Sequence, residues 1–248
     1  MAYRVPRHPK VKDHASRQTF LARVVGLVLL WALVAVIALV GDRAIAPQHL
    51  PWKPLRVIDP VGLATKAKAA RTGADPLACR QALGQGGVAF TAAPPTTGDC
   101  KVSDALILTS GLAPLKPAEA ALSCKEALAL TIWERQVVQP AAIEVLGQAV
   151  VGLDHYGSFA CRRIYGRPEG PLSEHASANA LDLAGFRLAD GSSVSIAGDW
   201  KDQGAKGVFL RRVRDGGCKV FVTVLSPDYN VEHADHLHLD MGGWPSCN

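Results

Sequence analysis

Two stretches of the chain gather histidines and carboxylates at a spacing that suits chemistry. The first, residues 233–240 (HADHLHLD), alternates polar and apolar side chains from position 236 to 241. This alternation predicts a half-buried strand that presents two imidazoles and a carboxylate on one face. The second, residues 173–182 (SEHASANALD), adds another histidine and another carboxylate. Because a core strand has little use for such a face, we predict that the fold joins both stretches at a metal or acid–base site.

The residue types favour zinc. In hydrolases this ion usually takes three protein ligands from His, Asp and Glu, and it keeps a fourth position for water. His175, Asp182 and His238 would supply such a set. An isolated His-x-His such as 236–238 is more often ordinary polar structure than a ligand pair. The combination of two such stretches nevertheless favours one zinc ion per chain.

The sequence around the two stretches predicts an α+β fold with an antiparallel sheet as the core of its second half. A strand is expected over residues 179–188, and Asp190-Gly191 is typical of a hairpin turn into a strand at 192–196. Residues 201–215 have a helical pattern. The apolar, β-branched run 218–225 predicts a central strand.

The same domain is expected to have a mainly helical part, residues 75–147, followed by a catalytic sheet part, residues 148–248. The longest helical pattern begins at Lys116-Pro117 and ends near residue 147. Pro140 should kink or break this helix. Residues 85–101, rich in Gly, Pro and Thr, are typical of a loop.

An apolar run occupies residues 24–41 (VVGLVLLWALVAVIALVG). As a helix it spans roughly 27 Å, about the thickness of a hydrocarbon core. The basic residues 1–23 predict a cytoplasmic tail and a single-pass anchor, with the C-terminal domain on the translocated side of the membrane. A cleaved signal peptide is an alternative, because residues 44–46 (AIA) resemble a cleavage site, and a core helix is another. The Pro-rich residues 42–74 are expected to form a stiff, extended linker.

The charge of the chain is confined to its start. Outside residues 1–23 the acidic and basic side chains balance, so nothing there indicates a nucleic-acid partner. The whole net charge of +5 comes from six basic residues against Asp13, namely Arg4, Arg7, Lys10, Lys12, Arg17 and Arg23. A content of 48% hydrophobic and 20% charged residues is typical of a folded chain.

All six cysteines follow the apolar run. They are Cys79, Cys100, Cys124, Cys161, Cys218 and Cys247. An even set on the translocated side predicts up to three disulfides in an oxidising compartment. No C-x-x-C pair occurs, so a cysteine zinc site is not indicated. The pairing is open, although a bridge from Cys247 would anchor the chain end beyond the histidine strand.

The upstream stretch resembles a known signature. Ser173, His175, Ala178, Ala180 and Asp182 match the S-x-H-x-x-G-x-A-x-D pattern of zinc D-Ala-D-Ala peptidases, lysostaphin-type endopeptidases and murein endopeptidases, except that alanine replaces the glycine. The downstream H-L-H is similar to the H-x-H of these enzymes. The resemblance implies a D-Ala-D-Ala peptidase/Hedgehog-like fold and the zinc ligand set named above.

The resemblance also implies catalytic roles. His236 would be a catalytic histidine beside the metal water. His233 stands where the murein endopeptidases have a further histidine, and Asp235 stands where the dipeptidases of vancomycin resistance have a carboxylate base. The base is therefore His236 or Asp235, and we favour His236 because it shares a strand face with His238.

Three further residues are candidates near the metal. Arg162 is similar in place to the arginine of an S-G-Y-R element in these peptidases, and it would steady an oxyanion or hold a substrate carboxylate. Ser173 would orient His175 or cap its loop. Asp240 would accept a hydrogen bond from a ligand histidine. The alternatives are a surface ion pair for Arg162, a plain turn for Ser173 and a structural role for Asp240.

Over residues 75–248, the segments SEHASANALDLAGFRLADG, GDW and HADHLHLD resemble the bacterial extensin-like C-terminal domain family. The wider resemblance implies a zinc metallopeptidase that cuts peptidoglycan stem peptides or cross-links, as an endo- or carboxypeptidase. It also implies that the anchor lies in a bacterial inner membrane and that the C-terminal domain lies in the periplasm. A non-catalytic wall-binding module that keeps the metal is one alternative. Another alternative is a partner-binding membrane protein in which zinc only stabilises a small fold. Residues 61–150 would cover the cleft or bind a regulatory protein partner.

Overall fold

The computed structural model describes residues 13–248, with side chains described from residue 17 onward. The chain divides into two compact units, and the boundary lies between Ala46 and Pro47. Of the predicted basic tail, residues 1–12 lie outside the described part of the chain. Residues 13–23 already belong to the first helix.

The first unit contains helix α1, Asp13–Ala44. Its segment Arg17–Ala44 has 28 residues and is long and apolar enough to cross a membrane. No residue of the most apolar window of this segment is buried. A signal sequence near an N-terminus shares these properties, so the anchor and the signal interpretations both remain predictions.

The second unit combines helices with a seven-stranded sheet and a separate two-stranded hairpin. Its helices are α2 (Thr65–Gly73), α3 (Pro76–Gln85), α4 (Cys124–Trp133), α5 (Gln139–Leu146), α6 (Ile196–Asp199) and α7 (Ala205–Gly217), with a π-helical turn at Glu134–Val138. Its strands are β1 (Ala89–Ala92), β2 (Leu106–Ser110), β3 (Leu115–Lys116), β4 (Val150–Gly157), β5 (Ala180–Leu188), β6 (Ser193–Ser195), β7 (Thr223–Leu225), β8 (Leu237–Asp240) and β9 (Ser246–Cys247).

The large sheet has the strand order β3-β4-β5-β8-β7-β9, and β6 pairs with β5. The central pairs β4–β5, β5–β8 and β8–β7 are antiparallel, whereas β3 and β9 pair in parallel with β4 and β7 at the two ends. The expected mixture of helices with a sheet core that is antiparallel at its centre is therefore confirmed.

The core lies between the sheet and the helices. Trp133 of α4 contacts Phe186 of β5 and Phe221, with ring centroids 6.1 and 5.9 Å apart. Phe209 of α7 contacts Phe186 at 4.9 Å. These four aromatic side chains are fully buried. Burial of this apolar area against α4 and α7 ties one face of the sheet to the helices.

The long helix begins later than the sequence pattern predicts. It starts at Cys124 rather than Lys116, because Ser123 caps it by accepting a hydrogen bond from a first-turn backbone N–H at 3.1 Å. Pro140 does not break the helix. The π-helical turn immediately before α5 accommodates the missing proline N–H. The end is as predicted, since Gly147 adopts a left-handed conformation with φ of 68°.

Three further segments differ from expectation. Residues 47–74, expected as part of an extended linker, instead belong to the second unit, and their Val57 and Ala69 are buried in its core. The prolines of this segment suggest an extended linker, and no local pattern marks Val57 and Ala69 as core residues. The expected loop 85–101 contains β1, which pairs with β2. The strand expected at 218–225 is only the short β7, because α7 continues to Gly217 and turns follow it.

Three disulfides are present, and the prediction of up to three is confirmed. One joins α3 to α4, one joins two loops, and one holds the chain end beside β7: Cys79–Cys124, Cys100–Cys161 and Cys218–Cys247. The last of these is the bridge that anchors the chain end beyond the histidine strand.

Glu126 lies in the first turn of α4 and is fully buried. Neither of its carboxyl oxygens has a hydrogen-bond partner among the described residues. Burial, followed by the negative charge of Asp240, raises the pKa of Glu126 well above its ordinary 4.5. The folded chain therefore keeps a proton that the unfolded chain releases, so the free energy of unfolding falls as pH rises from about 4.5, by up to about 1.4 kcal/mol per pH unit.

The Glu126→Gln variant cannot ionise, so its stability relative to the parent chain should increase as pH rises above about 4.5. Thermal unfolding of the detergent-solubilised full chain, in chelator and between about pH 4 and about pH 8, measures this difference. Glu119→Gln controls for the loss of one negative charge, because Glu119 is exposed. Parallel pH profiles for the parent chain and Glu126→Gln would contradict the prediction.

Candidate metal centre

Two of the candidate ligands face each other on neighbouring strands. The register of β5 with β8 places Asp182 directly opposite His238. Leu181 and Leu239 are also paired, and both are fully buried on the core side. Because successive side chains of a strand point to opposite faces, Asp182 and His238 lie on the face that turns away from the core.

The third candidate ligand comes from a tight turn before β5. His175 lies in the 3-10 turn Glu174–Ser177, where the Ser173 hydroxyl accepts a hydrogen bond from the His175 backbone N–H at 3.3 Å. Ala178 then adopts a left-handed conformation with φ of 55°, which turns the chain into β5. The signature that this stretch resembles has glycine at this position, and glycine adopts such a conformation without steric cost. Ser173 therefore caps the loop, as one of its two predicted roles requires.

The three side chains meet at one point. The Asp182 Oδ1 atom lies 3.1 Å from the His175 Nε2 atom and 2.9 Å from the His238 Nδ1 atom, and the two imidazole nitrogens are 3.2 Å apart. One ligand atom from each residue lies within 4.8 Å of the others. His175 is almost completely buried, while the other two are partly accessible. The chain thus has a His/Asp cluster that could hold a metal ion.

The remaining nitrogen of each ring is already engaged. The His175 Nδ1–H group donates to the Ser158 carbonyl oxygen at 3.2 Å, and the His238 Nε2–H group donates to Asp240 Oδ2 at 3.0 Å. Such oxygen partners hold an imidazole in the tautomer that directs its lone pair toward a metal. The donor set therefore fits a divalent first-row metal ion, and zinc is one of the ions that two imidazoles and a carboxylate bind.

The electrostatics of the cluster favour a positive charge at its centre. Burial lowers the pKa of His238, but hydrogen bonds with Asp182 and Asp240 outweigh it and raise the pKa to about 9. Burial raises the pKa of Asp182, but hydrogen bonds from His175 and His238 outweigh it and place the pKa far below its usual range. The cluster therefore binds a proton tightly, and a divalent cation would take the place of that proton.

His236 lies beside the cluster. Its Nε2 atom is 3.5 Å from Asp182 Oδ1, and its Nδ1 atom is 2.8 Å from Asp235 Oδ1. The His236 side chain is 13% exposed, whereas the Asp235 side chain is 54% exposed. The imidazole therefore stands between the Asp235 carboxylate and the cluster, and Asp235 is the more remote of the two candidate bases.

His233 also borders the site. It ends the 3-10 turn Val231–His233, and its ring centroid is 5.2 Å from that of His236 and 5.9 Å from that of His238. Its Nδ1 atom lies 2.5 Å from the Asn230 side-chain oxygen. Burial, followed by the charges of His238 and His236, lowers the pKa of His233 to about 4, so the ring is neutral near pH 7.

The two remaining candidate residues, Asp240 and Arg162, differ in burial and in their contacts with the cluster. Asp240 is buried, and besides its contact with His238 it accepts a hydrogen bond from the Gly242 N–H at 2.8 Å. Arg162 is exposed, and within residues 13–248 its guanidinium has no hydrogen-bond or ion-pair partner. Its backbone carbonyl accepts from the Ser173 N–H at 3.0 Å. The structure therefore brings Asp240 to the cluster and leaves the Arg162 guanidinium in solvent.

Sequence reasoning missed two groups of the site. The Ser158 carbonyl is a backbone atom, so no side-chain type marks it. Tyr156 of β4 has its ring centroid 5.9 Å from that of His236. Tyr156 lies well before residues 173–182 in the chain, and the pairing of β4 with β5 brings it to the site.

The profile described as Extensin-like protein C-terminus matches residues 77–248. No curated protein and no solved structure matches the chain. The matched range contains the second unit from α3 onward, with every residue of the His/Asp cluster. Since the match covers more than half of the sequence, the chain belongs to the extensin-like protein C-terminus family.

Proposed function

We propose that this protein is a membrane-anchored zinc metallopeptidase that hydrolyses peptidoglycan stem peptides or cross-links. The proposal rests on one observation above all: the His175, Asp182 and His238 ligand atoms converge within 4.8 Å. The outer nitrogens of both histidines are held by oxygen acceptors, as in the outer shells of zinc sites. The order of the ligands along the chain agrees with the zinc D-Ala-D-Ala peptidase superfamily, in which we place the fold.

One zinc ion per chain would be held by His175 Nε2, a carboxylate oxygen of Asp182 and His238 Nδ1. When bound, zinc supplies Lewis-acid polarisation of a peptide carbonyl and lowers the pKa of a water molecule toward neutrality. Asp240 and the Ser158 carbonyl keep the two imidazoles oriented for this role.

His236 is the proposed general base. Its Nδ1–H group donates to Asp235, which leaves the Nε2 lone pair directed toward the cluster. The Nε2 atom would accept the proton of the attacking water and pass it to the leaving amine. Asp235 acts behind the ring by fixing its tautomer and by stabilising the imidazolium that forms. The geometry supports this division of roles over direct base catalysis by Asp235.

The proposed substrate depends on the compartment of the second unit and on the peptidase resemblance. Three disulfides indicate an oxidising compartment, and α1 would anchor the chain in a bacterial inner membrane with the second unit in the periplasm. Peptidoglycan is the peptide-containing polymer that such a site would reach. The exposed Arg162 would meet a substrate carboxylate only from the rim of the site.

Incubation of the detergent-solubilised full chain with purified cross-linked muropeptides tests the function. With zinc bound, mass spectrometry should detect loss of a cross-link or of a terminal D-Ala, and a chelator should prevent the reaction. The product identifies the enzyme as an endo- or a carboxypeptidase. Intact muropeptides from a zinc-loaded protein would refute the enzymatic proposal and favour a wall-binding module.

A further inference from the structure

His233 forms a side-chain hydrogen bond with Asn230, three residues earlier in the chain. The His233 Nδ1 atom lies 2.5 Å from the Asn230 Oδ1 atom. An amide oxygen only accepts hydrogen bonds, so the ring nitrogen that meets it carries the proton. The His233 ring is buried, and its centroid lies 5.2 Å from that of His236 and 5.9 Å from that of His238. A contact with Asn230 therefore determines the position of the proton on a ring beside the proposed base and a candidate ligand.

Tyr165 determines which end of the Asn230 amide faces His233. The Asn230 Nδ2–H group donates to the Tyr165 hydroxyl at 3.2 Å, so the amide oxygen is the end that remains for His233. Tyr165 has a left-handed backbone with φ of 56°, a conformation that is uncommon for a large side chain and that is often retained at functional sites. The Arg167 guanidinium lies over the Tyr165 ring, 5.5 Å from its centroid. These contacts hold the Tyr165 side chain against the amide.

We propose that Asn230 is a positioning residue that keeps the His233 proton on Nδ1 and leaves Nε2 as an unprotonated acceptor. A neutral imidazole has one donor and one acceptor nitrogen, and the group bound to one nitrogen selects the role of the other. Within residues 13–248 the His233 Nε2 atom has no hydrogen-bond partner, yet it is not sealed off as the unpartnered Nδ1 atom of His155 is. If the proposed function holds, on which this role rests, the Nε2 atom accepts a hydrogen bond from a peptide N–H group of the substrate.

The direct test is the tautomer of His233 in the metal-free, detergent-solubilised full chain at about pH 8, where an ordinary imidazole is neutral. Long-range nitrogen–proton NMR of histidine-labelled protein distinguishes an Nδ1–H ring from an Nε2–H ring. The parent chain should give the Nδ1–H pattern for His233, and Asn230→Ala should lose it. Asn230→Asp retains an acceptor, so Nδ1 should stay protonated. Asn248→Ala is the matched control, because Asn248 is exposed and its amide contacts Ser246.

Three NMR results would overturn the proposal. An Nε2–H ring in the parent chain would mean that the Asn230 amide donates to His233 instead of accepting from it. An unchanged Nδ1–H pattern in Asn230→Ala would mean that another group holds the proton, and loss of the Nδ1 proton in Asn230→Asp would mean that the acceptor is not the cause. The parent spectrum decides the first point even if a variant fails to fold.

The kinetic consequence rests on the proposed function. On a muropeptide that the parent chain cleaves, Asn230→Ala should lower kcat/KM by about tenfold or more, as loss of an outer-shell partner does, and Asn230→Asp should restore most of the activity. Zinc affinity should change little in both variants, because Asn230 bonds to His233 and not to a candidate ligand. An equal loss of activity in the two variants, or none, would overturn the positioning role. If the parent chain cleaves nothing, the proposed function fails, while the NMR result still decides whether Asn230 positions His233.

Discussion

The His238→Ala variant should bind zinc more than about 100-fold more weakly than the parent chain, because loss of a direct ligand exceeds the roughly 10- to 100-fold cost of losing an outer-shell partner. His238 is the only candidate ligand contributed by β8, and its Nδ1 atom lies 2.9 Å from Asp182. Removal of its ring leaves one imidazole and one carboxylate, too few for a stable site. Metal analysis and competition with a chromophoric chelator measure the loss.

A graded series of variants makes this prediction specific. Asp240→Asn retains all three candidate ligands but weakens the hydrogen-bond acceptor behind His238. It should therefore lower zinc affinity by about 10- to 100-fold. His49→Ala removes an exposed histidine of the 3-10 turn Pro47–His49 and should leave zinc affinity unchanged. Stoichiometric, tight zinc binding by a folded His238→Ala protein would exclude the proposed metal centre.

The His236→Ala variant should retain zinc and lose about 10²- to 10⁴-fold in kcat, the usual contribution of a general base. His236 is not one of the three clustered ligands, and its Nε2 atom stands 3.5 Å from Asp182 Oδ1. Its removal therefore takes away the proposed proton acceptor but leaves the three candidate ligands in place. Single-turnover assays on cleaved muropeptides, together with zinc analysis of the same samples, separate the two effects.

Asp235 provides the comparison that identifies the base. If Asp235 only orients the imidazole, Asp235→Ala should be about 10- to 100-fold less active, a smaller loss than that of His236→Ala. A more severe loss in Asp235→Ala than in His236→Ala would transfer the role of base to Asp235. Loss of zinc from His236→Ala would show that the imidazole is a ligand.

Much of the fold follows from local patterns in the chain. The alternation in LHLDM predicts β8, and the Asp190-Gly191 pair predicts the turn between β5 and β6. Gly147 marks the end of the long helix. These predictions succeed because turns, caps and strand faces depend on a few consecutive residues.

The failures share a physical reason. The helical pattern predicts too early a start for the long helix, because the pattern extends upstream of Ser123, where the hydroxyl cap begins the helix. Residues 47–74 resemble a linker because their prolines are conspicuous, while the burial of Val57 and Ala69 depends on distant parts of the second unit. The exposure of the Arg162 guanidinium likewise depends on loop geometry that its neighbours in sequence do not specify.

The alternation of polar and apolar residues is enough to predict which side chains of β5 and β8 turn away from the core, because a strand alternates its faces with a period of two residues. The sequence also contains the two histidines and the aspartate of the His/Asp cluster, and an even number of cysteines. Tertiary contacts set the pairing of Asp182 with His238 and the bulge that brings Tyr156 next to His236. They also bury Glu126, whose carboxyl oxygens have no hydrogen-bond partner within residues 13–248. Strand register and bulges are set by contacts between segments far apart in the chain, and no local pattern encodes them.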